Sequence, residues 1–171
     1  MTRIAQALSA FAILAASFAR AEGDPSSFGV SSIEVAIAAD AVIDWNPPDE
    51  PNFAVERDFI ILMFQNGVRE GAERVLTGDA PAELRIAVTR FDILSTLELF
   101  FCCGMNEVDA VFELSDPTSG NVIIPPTSLS FDHIGRGGVF GALADAEGED
   151  QITRVIGLIA DGTEAWLTAP R

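Results

Sequence analysis

The clearest alternation of hydrophobic and polar positions lies in residues 82–94, AELRIAVTRFDIL. Leu84, Ile86 and Val88 alternate there with more polar neighbours, which predicts a strand with one buried face and one wet face. A helical pattern precedes this stretch and further strand patterns follow it. We therefore expect it to form the centre of a sheet whose helices pack on the side of Leu84, Ile86 and Val88.

Alternation also predicts strands in residues 28–37 and 108–114. A hairpin follows the second of these through residues 116–120, DPTSG, in which proline presets one dihedral angle and glycine can take a positive φ. The returning arm, residues 121–131, contains Pro125 and Pro126. Because neither proline can donate to a ladder, this arm is expected at a sheet edge or around a bulge.

Two segments have hydrophobic residues at helical spacing. The first is 53–76, where Gly67 and Gly71 lie on the apolar stripe and predict a close approach to the sheet. The second follows the acidic residues 145–150. Its stripe consists of Ile152, Val155, Ile156, Ile159 and Trp166.

These elements predict an α+β protein in the order β-α-β-β-β-α. The expected architecture is a two-layer sandwich in which a mainly antiparallel four-stranded sheet has two helices on one face. Residues 28–171 are expected to form a single domain, and residues 22–27 a flexible segment before it.

The N-terminus has the pattern of a secretory signal peptide. Arg3 precedes an apolar run over residues 4–18, and Ala19-Arg20-Ala21 follows it. We expect cleavage after Ala21, so residues 1–21 are lost and the protein is periplasmic or secreted. No later run of about 18 apolar residues predicts a transmembrane segment. No cysteine lies at the predicted cut to carry a lipid.

The chain is strongly acidic, with 26 Asp and Glu against 10 basic residues, all of them Arg, and a formal net charge of −16. The predicted signal peptide contains two Arg and no acid, so the mature chain would carry −16 minus 2, or −18. A surface of this charge repels phosphates and anionic headgroups. We therefore expect no binding to nucleic acid and no charge-driven binding to membranes.

Cys102 and Cys103 are adjacent and are the only cysteines. In an oxidising compartment three states stay open for them: a vicinal disulfide, two buried thiols, or bridges to another chain. Adjacent cysteines do not have the C-x-x-C spacing of redox or zinc sites. The pair therefore predicts neither redox catalysis nor a metal.

No pattern in the sequence predicts a catalytic, cofactor-binding or metal site. His133 is the only histidine, and neither a G-x-S-x-G nor an H-E-x-x-H motif accompanies it. The glycines of residues 135–141, GRGGVFG, do not match a dinucleotide loop, and no Lys follows them. Residues 145–150, DAEGED, lack the alternating acids of a calcium loop.

Residues 97–105, LELFFCCGM, are more apolar than one face of a strand can bury. Phe100 and Phe101 are adjacent, so in an extended strand they leave opposite faces and the helices cover one of them. Phe100, Phe101 and Met105 therefore make a candidate partner surface for a protein or an apolar ligand. The alternative is that the chain's own N-terminal segment covers the second face.

The segment RIAVTRFDIL, with Arg90-Phe91 closing an alternating strand, resembles an uncharacterised family of small exported bacterial proteins, many of them lipid-anchored. The similarity spans about residues 28–167 and extends to envelope accessory lipoproteins with two helices on a four-stranded sheet. Asp92 stands where that family often has a histidine, and the lipid-bearing cysteine is missing. The resemblance implies a non-enzymatic role in the cell envelope without a cofactor.

Two hypotheses about function follow. The first is a periplasmic accessory or interaction domain that binds an envelope partner through the sheet edge or through the stretch from Phe100 to Met105. The alternative is a small hydrolase that uses His133 with an acid or a serine from a neighbouring strand.

Overall fold

The computed structural model describes residues 24–45, 53–93, 105–131, 133–134 and 151–170. A short 3₁₀ turn, Pro25–Ser27, precedes the first strand. The strands are β1 (Phe28–Trp45), β2 (Ala80–Ile93), β3 (Met105–Ser115), β4 (Val122–Ser130) and the two-residue β5 (His133–Ile134). The helices are α1 (Phe53–Glu73) and α2 (Gln151–Thr168). The predicted α+β class and element order are confirmed.

The sheet has the strand order β1-β2-β3-β4, and β5 pairs with the beginning of β3. The pairs β2–β3 and β3–β4 are antiparallel, whereas β1–β2 is parallel. A parallel pair needs a long crossover connection, which α1 provides. The sheet is therefore mixed but mainly antiparallel, as the sequence predicts.

The buried face of the sheet is the one expected from the alternation in β2. Leu84 and Val88 have no exposed surface and Ile86 is 2% exposed. In β3, Phe112 is fully buried and lies between Trp166 of α2 at 5.4 Å and Phe131 at 5.8 Å, measured between ring centroids. This aromatic cluster packs α2 against β3 next to Phe131, which directly follows β4, while α1 packs against β1.

The helices run parallel to each other and meet through glycines. A Cβ atom added to Gly67 would lie 2.8 Å from the Ile156 carbonyl oxygen, and one added to Gly71 would lie 2.9 Å from Thr163 Cβ. The prediction that these glycines approach the sheet is wrong, because their close neighbour is α2. Small residues one turn apart let two helix backbones approach closely. Gly67 and Gly71 therefore allow the close contact between α1 and α2.

Arg74, just after α1, ties the ends of the two helices together. Its Nη1 atom lies 3.0 Å from both Asp161 and Glu164 of α2, and its Nη2 atom lies 2.6 Å from Glu70. Glu164 first, and then Asp161 and Glu70, hold the pKa of this guanidinium above its usual value. The contact is exposed to solvent, so it orients the helix ends more than it stabilises them.

The hairpin between β3 and β4 has the predicted turn. Asp116 accepts hydrogen bonds from the Ser119 hydroxyl at 2.7 Å and from the Thr118 N–H at 2.7 Å, which lower the pKa of its carboxyl. Because the pKa of Asp116 is lowered in the folded protein, these hydrogen bonds stabilise the fold at pH values above the ordinary aspartate pKa. This stabilisation is lost as the pH falls through the lowered pKa of Asp116. β4 is an edge strand in the described sheet, and its register shifts beside Pro125 and Pro126, as predicted.

Gly120 closes this turn with a φ of +72°. We expect Gly120→Ala to lower the free energy of unfolding by about 1 kcal/mol, because a Cβ is strained in the left-handed region. An added Cβ would meet no atom within 4 Å, so the loss measures backbone strain alone. Gly120→Asn should lose less, because asparagine tolerates this conformation. Urea denaturation of the three proteins tests this, and equal stability of all three would contradict it.

Candidate functional site: the β1 edge and the open face of the sheet

The face of the sheet opposite the helices carries alternating charged and small side chains. The cross-strand pairs between β2 and β3 on this face are Glu83 with Ser115, Arg85 with Glu113, Ala87 with Val111, Arg90 with Asp109, and Asp92 with Glu107. Both described helices pack on the other side, so no described element covers this face. We call it the open face.

Arg85 lies at the centre of the open face and contacts carboxylates on three strands. Its Nη2 atom lies 2.6 Å from Glu83 of β2, its Nη1 atom 3.6 Å from Glu113 of β3, and its Nε atom 3.9 Å from Glu34 of β1. The Glu83 and Glu113 side chains are 18% exposed, whereas that of Glu34 is 67% exposed. Three carboxylates therefore share one guanidinium, and the most exposed of them, Glu34, lies at the sheet edge.

The excess of negative charge continues along the strands. Arg90 pairs with Glu107, and Asp109 accepts a 2.5 Å hydrogen bond from the Ser130 hydroxyl on β4. By strand register the open face carries two guanidinium groups, Arg85 and Arg90, against seven carboxylates. These are Glu34, Asp44, Glu83, Asp92, Glu107, Asp109 and Glu113. The face therefore favours cationic partners and disfavours anionic ones.

The edge of the sheet at β1 is less completely buried than its interior. On the helix side of β1, Val35 is buried in the core, but four other side chains are only partly buried, whereas the β2 residues opposite these four have no exposed surface. These opposed pairs are Val30 with Ala82, Ile33 with Leu84, Ile37 with Val88, and Ile43 with Phe91. An apolar row of β1 thus remains accessible beside α1.

The neighbouring helix adds to this apolar margin. Phe59 and Ile61 of α1 are partly buried against the core, and Leu62 is 50% exposed. Val42 of β1 is also 50% exposed, and it lies on the open-face side of the same edge, since it pairs with Arg90. Leu62 and Val42 are the large hydrophobic side chains that stand out as exposed in the described chain. We call β1 from Val30 to Trp45, together with α1 from Phe59 to Leu62, the β1 margin.

The backbone of β1 is paired on one side along most of its length. Thr77 bridges Gly29, and the Gly78 N–H donates to the Phe28 carbonyl at 2.8 Å. From Val30 onward, the ladder partners of β1 within the described ranges all belong to β2. Four residues of β1, 38–41, stand against the single Thr89 of β2, which makes a large bulge. Bulges in edge strands limit uncontrolled pairing.

The sequence-predicted partner surface lies mostly outside the described residues. Phe100 and Phe101 fall there, as do Cys102 and Cys103, so their exposure and the disulfide stay predictions. Met105 begins β3 and pairs with Ile134 of β5. Since Asp92 pairs with Glu107, Met105 lies at the end of the sheet where Trp45 pairs with Ile93. The stretch that ends at Met105 therefore reaches the sheet near the end of β1.

His133 lies in β5, with its backbone opposite Asn106. This places it at the same end of the sheet as Met105. The hydrolase hypothesis depends on the groups around the His133 side chain, which the structure does not describe, and it stays a prediction. Within the described ranges, no three His, Cys, Asp or Glu side chains are grouped to hold a metal ion.

Sequence reasoning missed the open face and most of the β1 margin. Glu34, Arg85 and Glu113 are far apart in the chain and meet only through strand register. The alternation of polar residues with the core residues of β1, β2 and β3 was a usable signal for the open face.

In the part of the chain that the structure describes, no helix has the length and apolar character needed to cross a membrane.

Comparisons with known proteins identify a family and several solved structures of limited similarity. The model of a family of unknown function, DUF6778, matches residues 53–171. A comparison with curated proteins found no match.

Among solved structures, a Xanthomonas campestris protein of family DUF330 has a TM-score of 0.49 at 11% identity, covering 87% of this chain and 89% of its own. A candidate lipoprotein from Caulobacter crescentus has a TM-score of 0.38 at 14% identity, covering 84% and 89%. A variant of PelC, a dodecamer from Paraburkholderia phytofirmans, has a TM-score of 0.33 at 18% identity, covering 78% and 90%.

Proposed function

We propose that this chain, which belongs to the family of unknown function DUF6778, is an exported interaction domain of the cell envelope that binds a partner protein through the β1 margin. It acts by binding and not by catalysis. Export is supported by the signal-peptide pattern of residues 1–21.

The observation that carries the proposal is the difference in burial across the β1–β2 pair. Leu84, Val88 and Phe91 of β2 are fully buried, while the β1 side chains opposite them remain partly accessible. Exposed apolar surface beside an edge strand attracts other chains, and natural proteins usually protect it. Its presence here, together with the exposed Leu62 on α1 and the exposed Val42 on the open-face side of the same edge strand, is explained by a partner that covers this edge.

The stretch from Phe100 to Met105 would enlarge this surface. Met105 brings the end of the stretch to the part of the sheet where β1 ends. Two adjacent phenylalanines in an extended segment point to opposite sides, so one of them needs a cover beyond the helices. A partner seated on the β1 margin near Trp45 is close enough to supply that cover.

The test is site-specific photo-crosslinking in cells that export the protein. A crosslinking amino acid at position 42 or 62 should give discrete adducts with another protein. The controls are positions 117 and 118 in the exposed β3–β4 turn, which are far from the margin in the sheet order. Adducts of equal yield from margin and turn, or none from the margin, would contradict the proposal.

A further inference from the structure

The outer side of β1 offers the groups that a further strand needs. Between Ser32 and Ile37 the strand is regular, and its described ladder is with β2 on one side. The N–H and C=O groups of a strand point alternately to its two sides, so the other side presents unpaired donors and acceptors in the described chain. An extended segment can add to such an edge through main-chain hydrogen bonds.

The two faces beside this edge have opposite chemistry. On the helix side, Ile33 and Ile37 are partly accessible. On the open face, Glu34 is 67% exposed. It lies 3.9 Å from Arg85, which is farther than the two other carboxylates that contact this guanidinium, Glu83 at 2.6 Å and Glu113 at 3.6 Å. A strand added here would place alternate side chains against an apolar row on the helix side and against Ser32, Glu34 and Ala36 on the open face, where Glu34 carries the charge.

A second copy of this chain fits the edge poorly. The charged residues of β1 are Glu34, Asp40 and Asp44, all acidic. Pairing β1 with another β1 brings acids near acids, which destabilises cross-strand pairs. The net charge of −16 adds repulsion between whole molecules.

We infer that the partner contributes an extended segment of alternating hydrophobic and basic residues, which joins the sheet beside Ser32–Ile37 as a further strand. This inference rests on the proposed function and names the class of partner. The hydrophobic residues of the segment lie towards Ile33 and Ile37, and its basic residues lie towards Glu34. The bulge at residues 38–41 ends the continuous pairing.

Synthetic peptides test this on the full exported chain. A peptide of about ten residues that alternates Val and Lys should bind at least about tenfold more tightly than its Val-Glu counterpart, because only the first complements Glu34 and the acidic open face. Fluorescence anisotropy measures both affinities. Equal affinities, or tighter binding of the Val-Glu peptide, would overturn the inference.

Backbone methylation separates strand addition from simple charge attraction. Two versions of the Val-Lys peptide carry N-methyl groups on alternate amides, one on the odd set and one on the even set. In strand addition, only one of the two sets of peptide amides donates hydrogen bonds to β1. The version methylated on that set should lose at least about tenfold in affinity, and the version methylated on the other set much less. If both versions bind like the unmodified peptide, the peptide binds by charge alone and the inference is wrong.

A matched pair of protein variants locates the charge effect. Glu34 and Glu73 have side chains exposed by 67% and 61%, and each lies about 4 Å from one guanidinium, at 3.9 and 4.0 Å. Glu34→Gln should weaken binding of the Val-Lys peptide several-fold, whereas Glu73→Gln should leave it unchanged. Equal weakening by both would overturn the inference.

The outcomes distinguish this inference from the proposed function. Crosslinks from positions 42 and 62 without a preference for the Val-Lys peptide would refute the inference and leave the proposed function standing. If the peptide shows no preference and the crosslinks are absent as well, both fail. A concentration-dependent dimer that protects β1 would show that the occupant is a second copy, which also overturns the inference.

Discussion

Replacing Phe112 with alanine is expected to lower the free energy of unfolding by about 3–5 kcal/mol, the usual loss for a fully buried aromatic residue. Phe112 has no exposed surface and its ring contacts both Phe131 and Trp166. Its loss removes the contact that holds α2 on the sheet and leaves a cavity. Chemical denaturation followed by tryptophan fluorescence measures the effect.

The control for Phe112→Ala is Val111→Ala, one residue earlier on the same strand. Val111 lies on the open face opposite Ala87 and is partly accessible. We expect this substitution to lower the free energy of unfolding by only about 1 kcal/mol or less, because the Val111 side chain is already partly in contact with water. A loss at Val111 as large as the loss at Phe112 would mean that the open face is covered by another part of the chain.

Gly71→Ala should destabilise the protein by about 1–3 kcal/mol, although alanine normally favours a helix interior over glycine. The added Cβ would collide with the Ala160 carbonyl group and lie 2.9 Å from Thr163 Cβ. Thr163 is fully buried and its hydroxyl donates to the Ile159 carbonyl at 2.7 Å, so it cannot easily move aside. The helices must separate to accept the methyl group.

Gly157→Ala is the matched control, because Gly157 lies in α2 and its added Cβ would meet no atom within 4 Å. This change should stabilise the protein by up to about 1 kcal/mol, through helix propensity alone. Thermal and urea unfolding of both variants give the comparison. Stabilisation by Gly71→Ala as well would show that α1 and α2 are not in close contact at this point.

The fold could be predicted from the sequence where local pattern decides it. The alternation of Leu84, Ile86 and Val88 indicates the central strand and its buried face, and Pro125 with Pro126 indicates the irregular edge of β4. The first strand is longer than the predicted 28–37, since β1 continues to Trp45. Residues 38–41 form a bulge, so alternation is interrupted there even though the strand resumes.

The partners of each element could not be predicted in the same way. Two glycines one turn apart indicate a close approach, but the sequence does not say whether a sheet or a helix approaches them, and here it is α2. The predicted end of α1 at residue 76 was too late, since the helix ends at Glu73. Short turns such as the one that follows α1 depend on tertiary contacts, here those of Thr77 and Gly78 with the start of β1.

The candidate site depends almost entirely on register. Arg85 is next to Glu113 and Glu34 only because β2 pairs with β3 and β1 in one particular alignment. A shift by one residue would send these charges to the helix side. The sequence does indicate a surplus of acids and a sheet edge, but not that the surplus lies beside an accessible apolar row of β1.

Amide hydrogen exchange in the free exported protein tests most directly whether the β1 edge is open. For an open edge we expect an alternating pattern from Ser32 to Ile37, in which every second amide exchanges at least about 100-fold faster than the neighbouring amides that bond to β2. The amides of β2, which lies between β1 and β3, should be protected along their length. Uniform protection of β1, as strong as that of β2, would show that the edge is already covered without a partner, and this would contradict an open β1 edge.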